Sequence, residues 1–284
     1  MESVDLGEIV QAIREAGIKT GDIVNVHSRL YAIGRLRGVQ SSVEIPGCYL
    51  RGFQEVVESD GTIIVPTYTT TFARFGRPFV LEETPSEMGV FSEHVRKAAG
   101  ACRTLHPVQS LTALGGQAEV LAKNHPRWNV GYDTIWDRML RRGGKFVGLG
   151  IPPCQAMSFM HQVEFLACVP YLYHKVLRGA VYANGAPVEN DFLMAVRYLS
   201  YNIAYDLSRL EADLAAAGAI ERVALGGNWL WVVPLEAAFE LGMRGLGGDP
   251  YYLLRSIPSF VDGEIPCDGS TIEREGIAPG YFLM

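Results

Sequence analysis

The sequence predicts an α/β fold in which helices flank a layered, mainly parallel β-sheet. Over about the first 170 residues, short apolar segments alternate with longer amphipathic segments. Strands that alternate with helices of about 10–15 residues are typical of parallel sheets built from strand–helix–strand units. No internal repeat, low-complexity run or linker interrupts this pattern. We therefore expect a single domain over residues 1–284.

Strands are predicted where apolar or alternating segments end in turn residues. These segments are residues 22–27, 61–67, 111–114 and 145–149. Helices are predicted where apolar residues recur at a spacing of three or four, as in residues 6–16, which Gly17 ends. The other helical segments are residues 49–59, 88–99, 118–124 and 134–142.

A small β-hairpin subregion is predicted after residue 170. Residues 171–187 read as a hairpin that turns at Asn184-Gly185, a dipeptide strongly favoured in two-residue turns. A helical segment is predicted over residues 192–217, followed by a strand and another helix. Residues 256–284 are rich in Pro, Gly and Asp and are predicted to be irregular.

Composition places the chain among globular proteins with a substantial core, because 48% of its residues are hydrophobic and 20% are charged. The net charge of −6 and the lack of a long basic run argue against a nucleic-acid partner. No apolar run reaches the roughly 18 residues of a membrane helix, and no signal-peptide pattern is present, so we expect no membrane partner. The five cysteines are widely spaced and form no C-x-x-C pair, which favours the reducing cytoplasm.

The most informative segment joins the last of these apolar strands to a largely apolar helix. Within it, Ser158, His161 and Glu164 recur every three residues and would share one helix face. A carboxylate one turn from an imidazole fixes the ring tautomer and stabilises the imidazolium, as general-base catalysis requires. His161 and Glu164 are therefore candidate catalytic residues. A buried, hydrogen-bonded histidine without a chemical role is the open alternative.

Two other segments have the chemistry of an anion site. The turn His27-Ser28-Arg29-Leu30 follows a strand and offers backbone N–H groups, a hydroxyl and a guanidinium to a phosphate. Further along, Arg103 and Thr104 lie close to His106, which precedes a proline and is therefore biased towards an extended conformation. Each segment, taken alone, is equally well explained as an ordinary turn.

Taken together and in this order, the motifs resemble the aminoglycoside 3-N-acetyltransferase family, also called antibiotic N-acetyltransferases. The resemblance covers about residues 5–170, and five ordered motifs are more specific than any one of them. The matching segments are GDIVNVHSRL (21–30), GTIIVPTYT (61–69), TPSEMG (84–89), RTLHPVQS (103–110), and GLG (148–150) followed by MHQVE (160–164).

This resemblance implies an antibiotic N-acetyltransferase-like α/β fold that uses acetyl-CoA as cosubstrate and a primary amine as acceptor, without a metal. It also implies direct transfer within a ternary complex of enzyme, CoA thioester and amine. By the same resemblance, His161 and Glu164 form the catalytic pair, and His106 lines the same cleft. The residues that the resemblance places along CoA are His27, Ser28, Arg29, Leu30, Thr67, Arg103 and Thr104.

The class of acceptor is predicted from charge. A polycationic aminoglycoside needs a cleft lined by carboxylates, whereas the candidate loops carry cations. These cations are Arg74, Arg77, Lys175 and Arg178. We therefore expect an amino sugar or another amine that carries a phosphate or carboxylate. An aminoglycoside-resistance acetyltransferase is the alternative within the same family.

Two other classes of function stay open at this point. A zinc metallohydrolase would take His161, Glu164 and either His106 or His27 as ligands, although a second histidine at close helical spacing is missing. A non-catalytic binding protein would keep the fold without the reaction. The oligomeric state is also open, with a homodimer as one candidate.

Overall fold

A central seven-stranded sheet organises residues 2–198 and 201–260, which are the residues that the computed structural model describes. The strands are β1 (Ser3–Val4), β2 (Ile23–Ser28), β3 (Arg35–Leu36), β4 (Thr62–Pro66), β5 (Phe79–Val80), β6 (Cys102–Arg103), β7 (Leu111–Gly115), β8 (Lys145–Leu149), β9 (Leu172–Leu177), β10 (Val181–Ala183), β11 (Ala186–Pro187), β12 (Phe192–Arg197), β13 (Glu221–Leu225) and β14 (Asn228–Pro234). The α-helices are α1 (Leu6–Glu15), α2 (Ile45–Val57), α3 (Thr71–Phe75), α4 (Val90–Arg96), α5 (Ala118–Ala122), α6 (Ile135–Leu140), α7 (Met160–Leu166), α8 (Ser208–Ala216) and α9 (Leu235–Gly248).

The strand order of the central sheet is β13-β14-β8-β2-β4-β7-β6. Strand β2 pairs in parallel with β4 and β8, whereas the other described pairings in this sheet are antiparallel. The prediction of a mainly parallel sheet is therefore wrong: the sheet is mixed, with a parallel centre. The alternation of strands and helices does not fix strand direction, because the connections decide it. Only Gly226 and Gly227 join β13 to β14, and so short a connection gives an antiparallel pair.

The three parallel strands lie at the centre because their sequences are apolar on both faces. All five residues of β4 are buried, and so is every residue of β2 except Ser28. One face of the sheet packs against α1 and α2, and the opposite face packs against α6, α7 and α9. Because parallel strands end at the same edge, the segments that follow β2, β4 and β8 meet there.

The indole of Trp231 fixes the segment that leads from β8 to α7. It lies over Gly148, where a Cβ atom would come within 2.0 Å of the ring. Its Nε1–H donates to the carbonyl of Ile151 at 2.6 Å, and its ring stacks on Phe146 with centroids 5.9 Å apart. Glycine at position 148 is therefore required for packing, since any side chain would displace this ring.

The strand pairing after residue 170 differs from the prediction. The Asn184-Gly185 turn joins β10 to β11, and both turn residues have positive φ, as a two-residue hairpin turn requires. Strand β9 pairs instead with β12, which occupies part of the segment predicted as helix. The prediction of a helix over residues 192–217 is therefore wrong outside α8, because tertiary pairing with β9 overrides the local preference of the apolar β12 sequence.

The helices predicted before residue 170 are confirmed in type, with shifted ends. Helix α1 begins with a capping box, in which the Asp5 carboxylate accepts the Glu8 N–H at 3.0 Å and Glu8 accepts the Asp5 N–H at 2.8 Å. The described residues contain no helix that is both long and apolar enough to cross a bilayer. Most of the predicted irregular C-terminal segment, residues 261–284, lies outside the described residues.

Asn25 is a fully buried amide in the middle of β2, and neither its Oδ1 nor its Nδ2 has a hydrogen-bond partner among the described residues. Leaving a buried polar group unpaired costs about 1–3 kcal/mol. The substitution Asn25→Leu keeps the shape of the side chain and removes both polar atoms. We therefore expect it to raise the free energy of unfolding by about 1–3 kcal/mol in a urea titration.

Asn129 provides the matched control, because its buried amide is paired. Its Oδ1 accepts the Ala195 N–H at 2.9 Å, and its Nδ2 donates to Gln109. Asn129→Leu leaves these partners unsatisfied and should lower the free energy of unfolding by about 1–3 kcal/mol. If both substitutions destabilised the protein equally, the prediction for Asn25 would be wrong.

Candidate active site

The predicted pair of His161 and Glu164 is in contact. Both residues lie on α7, which begins shortly after the end of β8, and their spacing of three brings the side chains together. His161 Nδ1 lies 2.8 Å from Glu164 Oε2. The imidazole is 19% exposed, whereas the carboxylate has no exposed surface. With Nδ1–H donated to Glu164, Nε2 is the ring nitrogen that can accept a proton.

Two tyrosines complete the surroundings of Glu164. The Tyr171 hydroxyl donates to Oε1 at 2.8 Å, and the Tyr205 hydroxyl donates to Oε2 at 3.1 Å. Burial, followed by the negative charge of Glu164, raises the pKa of both phenols, so each stays protonated as a donor. The carboxylate thus accepts three hydrogen bonds, which offset the cost of burying it.

These two tyrosines are not predicted from the sequence. Tyr205 is separated from Glu164 by 41 positions, and no local spacing signals their contact. The guanidinium of Arg197 lies over the Tyr205 ring, with its central carbon 5.2 Å from the centroid. Such a contact places a positive charge beside the phenol and opposes the effect of Glu164 on its pKa.

Ser158 belongs to a different hydrogen-bonded group from His161. Helix α7 begins only at Met160, and the Ser158 hydroxyl accepts from the Tyr68 hydroxyl at 3.1 Å and lies 3.3 Å from His27 Nε2. His27 is buried, which lowers its pKa to about 3, so its ring is neutral. This group joins the ends of β2, β4 and β8 at the edge of the sheet.

Arg29 bridges two of the segments at this edge. Its guanidinium donates to Gln155, which lies between β8 and α7, and its central carbon is 6.0 Å from the centroid of the Tyr31 ring. Leu30 is buried, whereas Ser28 and Arg29 are partly exposed. The segment that follows this turn lines an open groove of about 840 Å³. Polar groups in this groove belong to Glu2, Tyr31, Arg35, Gln40, Ser41 and Ser42, which include one carboxylate and one guanidinium.

His27, Thr67 and Thr104, which the resemblance places along CoA, are buried instead, and Arg103 is only partly exposed. The guanidinium of Arg103 donates to the carbonyls of Leu81, Thr84 and Thr67 and to a serine hydroxyl. Burial lowers the Arg103 pKa to about 9. Thr67 and Thr104 have no exposed surface, and the Thr104 hydroxyl accepts the Leu111 N–H at 2.9 Å. These bonds hold the loop between β6 and β7 against the end of β4.

His106 is also occupied by backbone groups. Its Nδ1 accepts the N–H of Gln109 at 2.9 Å, and its Nε2 donates to the carbonyl of Leu193 at 3.3 Å. The ring is fully buried, and this burial lowers its pKa to about 3. Both ring nitrogens are therefore engaged in holding the loop, as expected if this segment is an ordinary turn.

The zinc-hydrolase alternative is wrong for the described residues. No group of three His, Cys, Asp or Glu side chains among them is placed to hold a metal ion. His106 and His27 have hydrogen-bond partners of their own, so neither converges with His161 and Glu164 on a common point.

A comparison with known proteins identifies the family of this chain. The model of the aminoglycoside 3-N-acetyltransferase family matches residues 25–246, and the chain belongs to this family. The chain is 31% identical over 174 residues to aminoglycoside N(3)-acetyltransferase VII of Streptomyces paromomycinus, and 29% identical over 180 residues to aminoglycoside N(3)-acetyltransferase III of Salmonella sp. The matches cover 54% and 57% of this chain but only 58% and 60% of these relatives, which is less than two thirds of their length.

Solved structures share the fold. The aminoglycoside acetyltransferase AAC(3)-Xa superposes with a TM-score of 0.72 at 24% identity, covering 89% of this chain and 95% of that chain. A structure described as AAC-IIIb binary with CoASH gives a TM-score of 0.73 at 20% identity, covering 90% and 100%. The predicted family and its α/β fold are thereby confirmed.

The buried histidines predict how stability depends on pH. Burial lowers the pKa of His27 and His106 to about 3 and that of His125 to about 4. In the unfolded chain a histidine has a pKa near 6.5. Below about pH 6.5 the unfolded state therefore binds protons that the folded state does not, and stability falls as the pH decreases towards 4. Each histidine should contribute a slope of about 1.4 kcal/mol per pH unit to the free energy of unfolding.

His106→Asn removes one of these groups while keeping an oxygen that can accept the Gln109 N–H. We expect urea titrations between about pH 6 and 4.5 to show a slope smaller by about one proton in this variant. An unaltered slope in His106→Asn would show that His106 is protonated in the folded protein.

Proposed function

We propose that this protein transfers an acetyl group from acetyl-CoA to a primary amine of a small molecule. The observation that carries this proposal is the pairing of His161 with the buried Glu164, which leaves Nε2 as a base at the sheet edge where ligands collect. The matching relatives, which are named aminoglycoside N(3)-acetyltransferases, support the same reaction class. We propose that the chain acts as one domain in the cytoplasm, and a homodimer stays a prediction.

In the proposed reaction, the amine nitrogen attacks the thioester carbonyl carbon. As the C–N bond forms, Nε2 of His161 takes the proton that the nitrogen loses, and Glu164 stabilises the resulting imidazolium. The C–S bond then breaks, and the CoA thiolate recovers the proton from His161. Tyr171 and Tyr205 act as positioning residues, because they hold the carboxylate rather than the reacting atoms.

We propose that CoA lies along the turn of Ser28, Arg29 and Leu30 and in the adjoining groove of about 840 Å³. The groove is open and polar at several positions, and the preceding turn is bonded through Arg29 to Gln155, which lies between β8 and α7. The CoA-bound state of AAC-IIIb, which shares the fold, supports a CoA site in this architecture. Arg103, Thr67 and Thr104 would support this edge from the interior without contacting CoA.

Replacement of the base tests the proposal. His161→Ala should lower kcat about 10²- to 10⁴-fold, which is the usual contribution of acid–base catalysis, because no group then accepts the amine proton. The Kd for CoA, measured by calorimetry, should change little, since the imidazole acts on the amine. Glu164→Gln should cause a partial loss and shift the acidic limb of the kcat profile to lower pH, because a neutral amide stabilises the imidazolium less.

The double variant should be far less impaired than the product of the two losses, because the pair acts as a unit. His94→Ala is the control, since this histidine is exposed on α4 and its loss should leave kcat unchanged. Near-normal turnover by His161→Ala would remove His161 from the mechanism. Failure of the unaltered protein to bind CoA would reject acetyl transfer altogether.

The acceptor is proposed to be an amine that also carries a phosphate or carboxylate. Lys175 and Arg178 line a groove of about 460 Å³ together with the end of α3, the helix that also carries Arg74. Asp191 lies 3.7 Å from Arg178, but both side chains are well exposed, so this pair weakens the positive charge little. Tyr171 donates to Glu164 beside the proposed base, and Lys175 follows Tyr171 by four residues of extended chain, or about 13 Å. A disaccharide-sized acceptor could span this distance from the groove to the base.

Competition between acceptors tests this part of the proposal. We expect an anionic amino sugar to exceed gentamicin in kcat/KM by at least about tenfold, because opposite charges favour its complex. Arg178→Glu should reduce this preference and raise KM for the anionic amine. Arg14→Glu, the same change at another exposed arginine on α1, is the control and should leave the preference intact. Efficient turnover of gentamicin without turnover of anionic amines would instead support an aminoglycoside acceptor, as the names of the relatives suggest.

A further inference from the structure

A small, partly open cavity lies directly beside the candidate base. Its volume is about 20 Å³, enough for one water-sized or methyl-sized group. Sulfur and hydrocarbon atoms dominate the walls, and an apolar cavity of this size does not retain water well. The lining residues are Cys154, Met157, Met160, His161, Tyr205 and Leu207.

The walls of this cavity come from three segments, and half of the wall residues are packed into the core. Met157, Met160 and Leu207 are each at most 4% exposed, so they cannot move aside without disturbing the core. The Tyr205 ring is held by the hydrogen bond from its hydroxyl to Glu164. This packing limits the size of the cavity next to the imidazole.

The cavity also adjoins the proposed path of CoA. Cys154 in its wall precedes Gln155, which accepts the hydrogen bond from Arg29 in the turn assigned to the cofactor. Because Cys154 and His161 both line the cavity, a thioester that passes from this turn to His161 would bring its acyl group to the cavity wall. The acyl carbon chain is the apolar end of the donor, and it matches the chemistry of the cavity walls.

We propose that this cavity receives the methyl group of the acetyl donor and thereby limits the acyl chain to two carbons. The inference rests on the acetyl transfer proposed above and adds the residues that select the acyl group. The methyl group itself does not react; the bonds formed and broken are those of the thioester carbon. One additional methylene is discriminated about 10- to 200-fold by an apolar pocket.

Donor selectivity provides the test. We measure kcat/KM for acetyl-CoA and for propionyl-CoA with the same amine, and expect the unaltered enzyme to prefer acetyl-CoA at least about tenfold. Met157→Ala and Leu207→Ala enlarge the cavity and should reduce this preference at least about tenfold. Leu210→Ala is the matched control, because Leu210 is fully buried on α8 but does not line the cavity, so the preference should persist.

A filling variant covers the case in which the enlarging variants fail to fold. Cys154 is partly exposed, and Cys154→Leu should lower kcat/KM for acetyl-CoA at least about tenfold while the Kd for CoA stays the same. A donor preference that no cavity variant changes would overturn the inference, and so would a change confined to the KM of the amine, which would assign the cavity to the acceptor. Absence of both CoA binding and turnover would instead reject the proposed function, and this inference with it.

Discussion

The buried carboxylate of Glu164 is the constraint on which this site depends. A carboxylate without exposed surface is stable only when polar groups pair with it, and here three donors do so. They come from three places in the chain: the imidazole of His161 on α7, the phenol of Tyr171 before β9, and the phenol of Tyr205 before α8. Satisfying one buried charge therefore fixes the orientation of the base and also ties the segments after residue 170 to the central sheet.

Burial distinguishes His27 and His106 from His161. His27 and His106 are enclosed, and the cost of burying a cation lowers the pKa of each to about 3. Such rings stay neutral and serve as hydrogen-bonding parts of the framework. His161 differs in two respects: it is partly exposed, and its Nδ1 faces a carboxylate. These two features, rather than the presence of a histidine in a motif, make it the group that can accept and return a proton.

The parallel centre of the sheet explains how the proposed donor and acceptor sites meet at one base. The end of β2 leads to the turn of Ser28 and Arg29 and the large groove beyond it. The end of β4 leads to Tyr68 and then to α3, whose far end faces the basic groove with β9. The end of β8 leads to the loop fixed by Trp231 and then to α7. Three neighbouring strand ends thus supply the proposed CoA groove, the proposed acceptor groove and the base.

The sequence by itself determined the family, through the order of five motifs along the chain. It also determined the α/β class, the early helices and the His161–Glu164 pair, because these depend on local periodicity or on residues within one helical turn. The tertiary structure decided the strand directions, the pairing of β9 with β12, and the roles of His106, Arg103 and Thr104. Thr104 and Arg103 look like an exposed anion site in the sequence, but burial directs their polar groups to the backbone. Tyr171 and Tyr205 could not be found from local spacing, because the contact of Tyr205 with Glu164 spans 41 positions and exists only when the two segments pack together. Local patterns indicate which interactions a residue can form, whereas burial and long-range pairing decide which of those interactions exist in the folded protein.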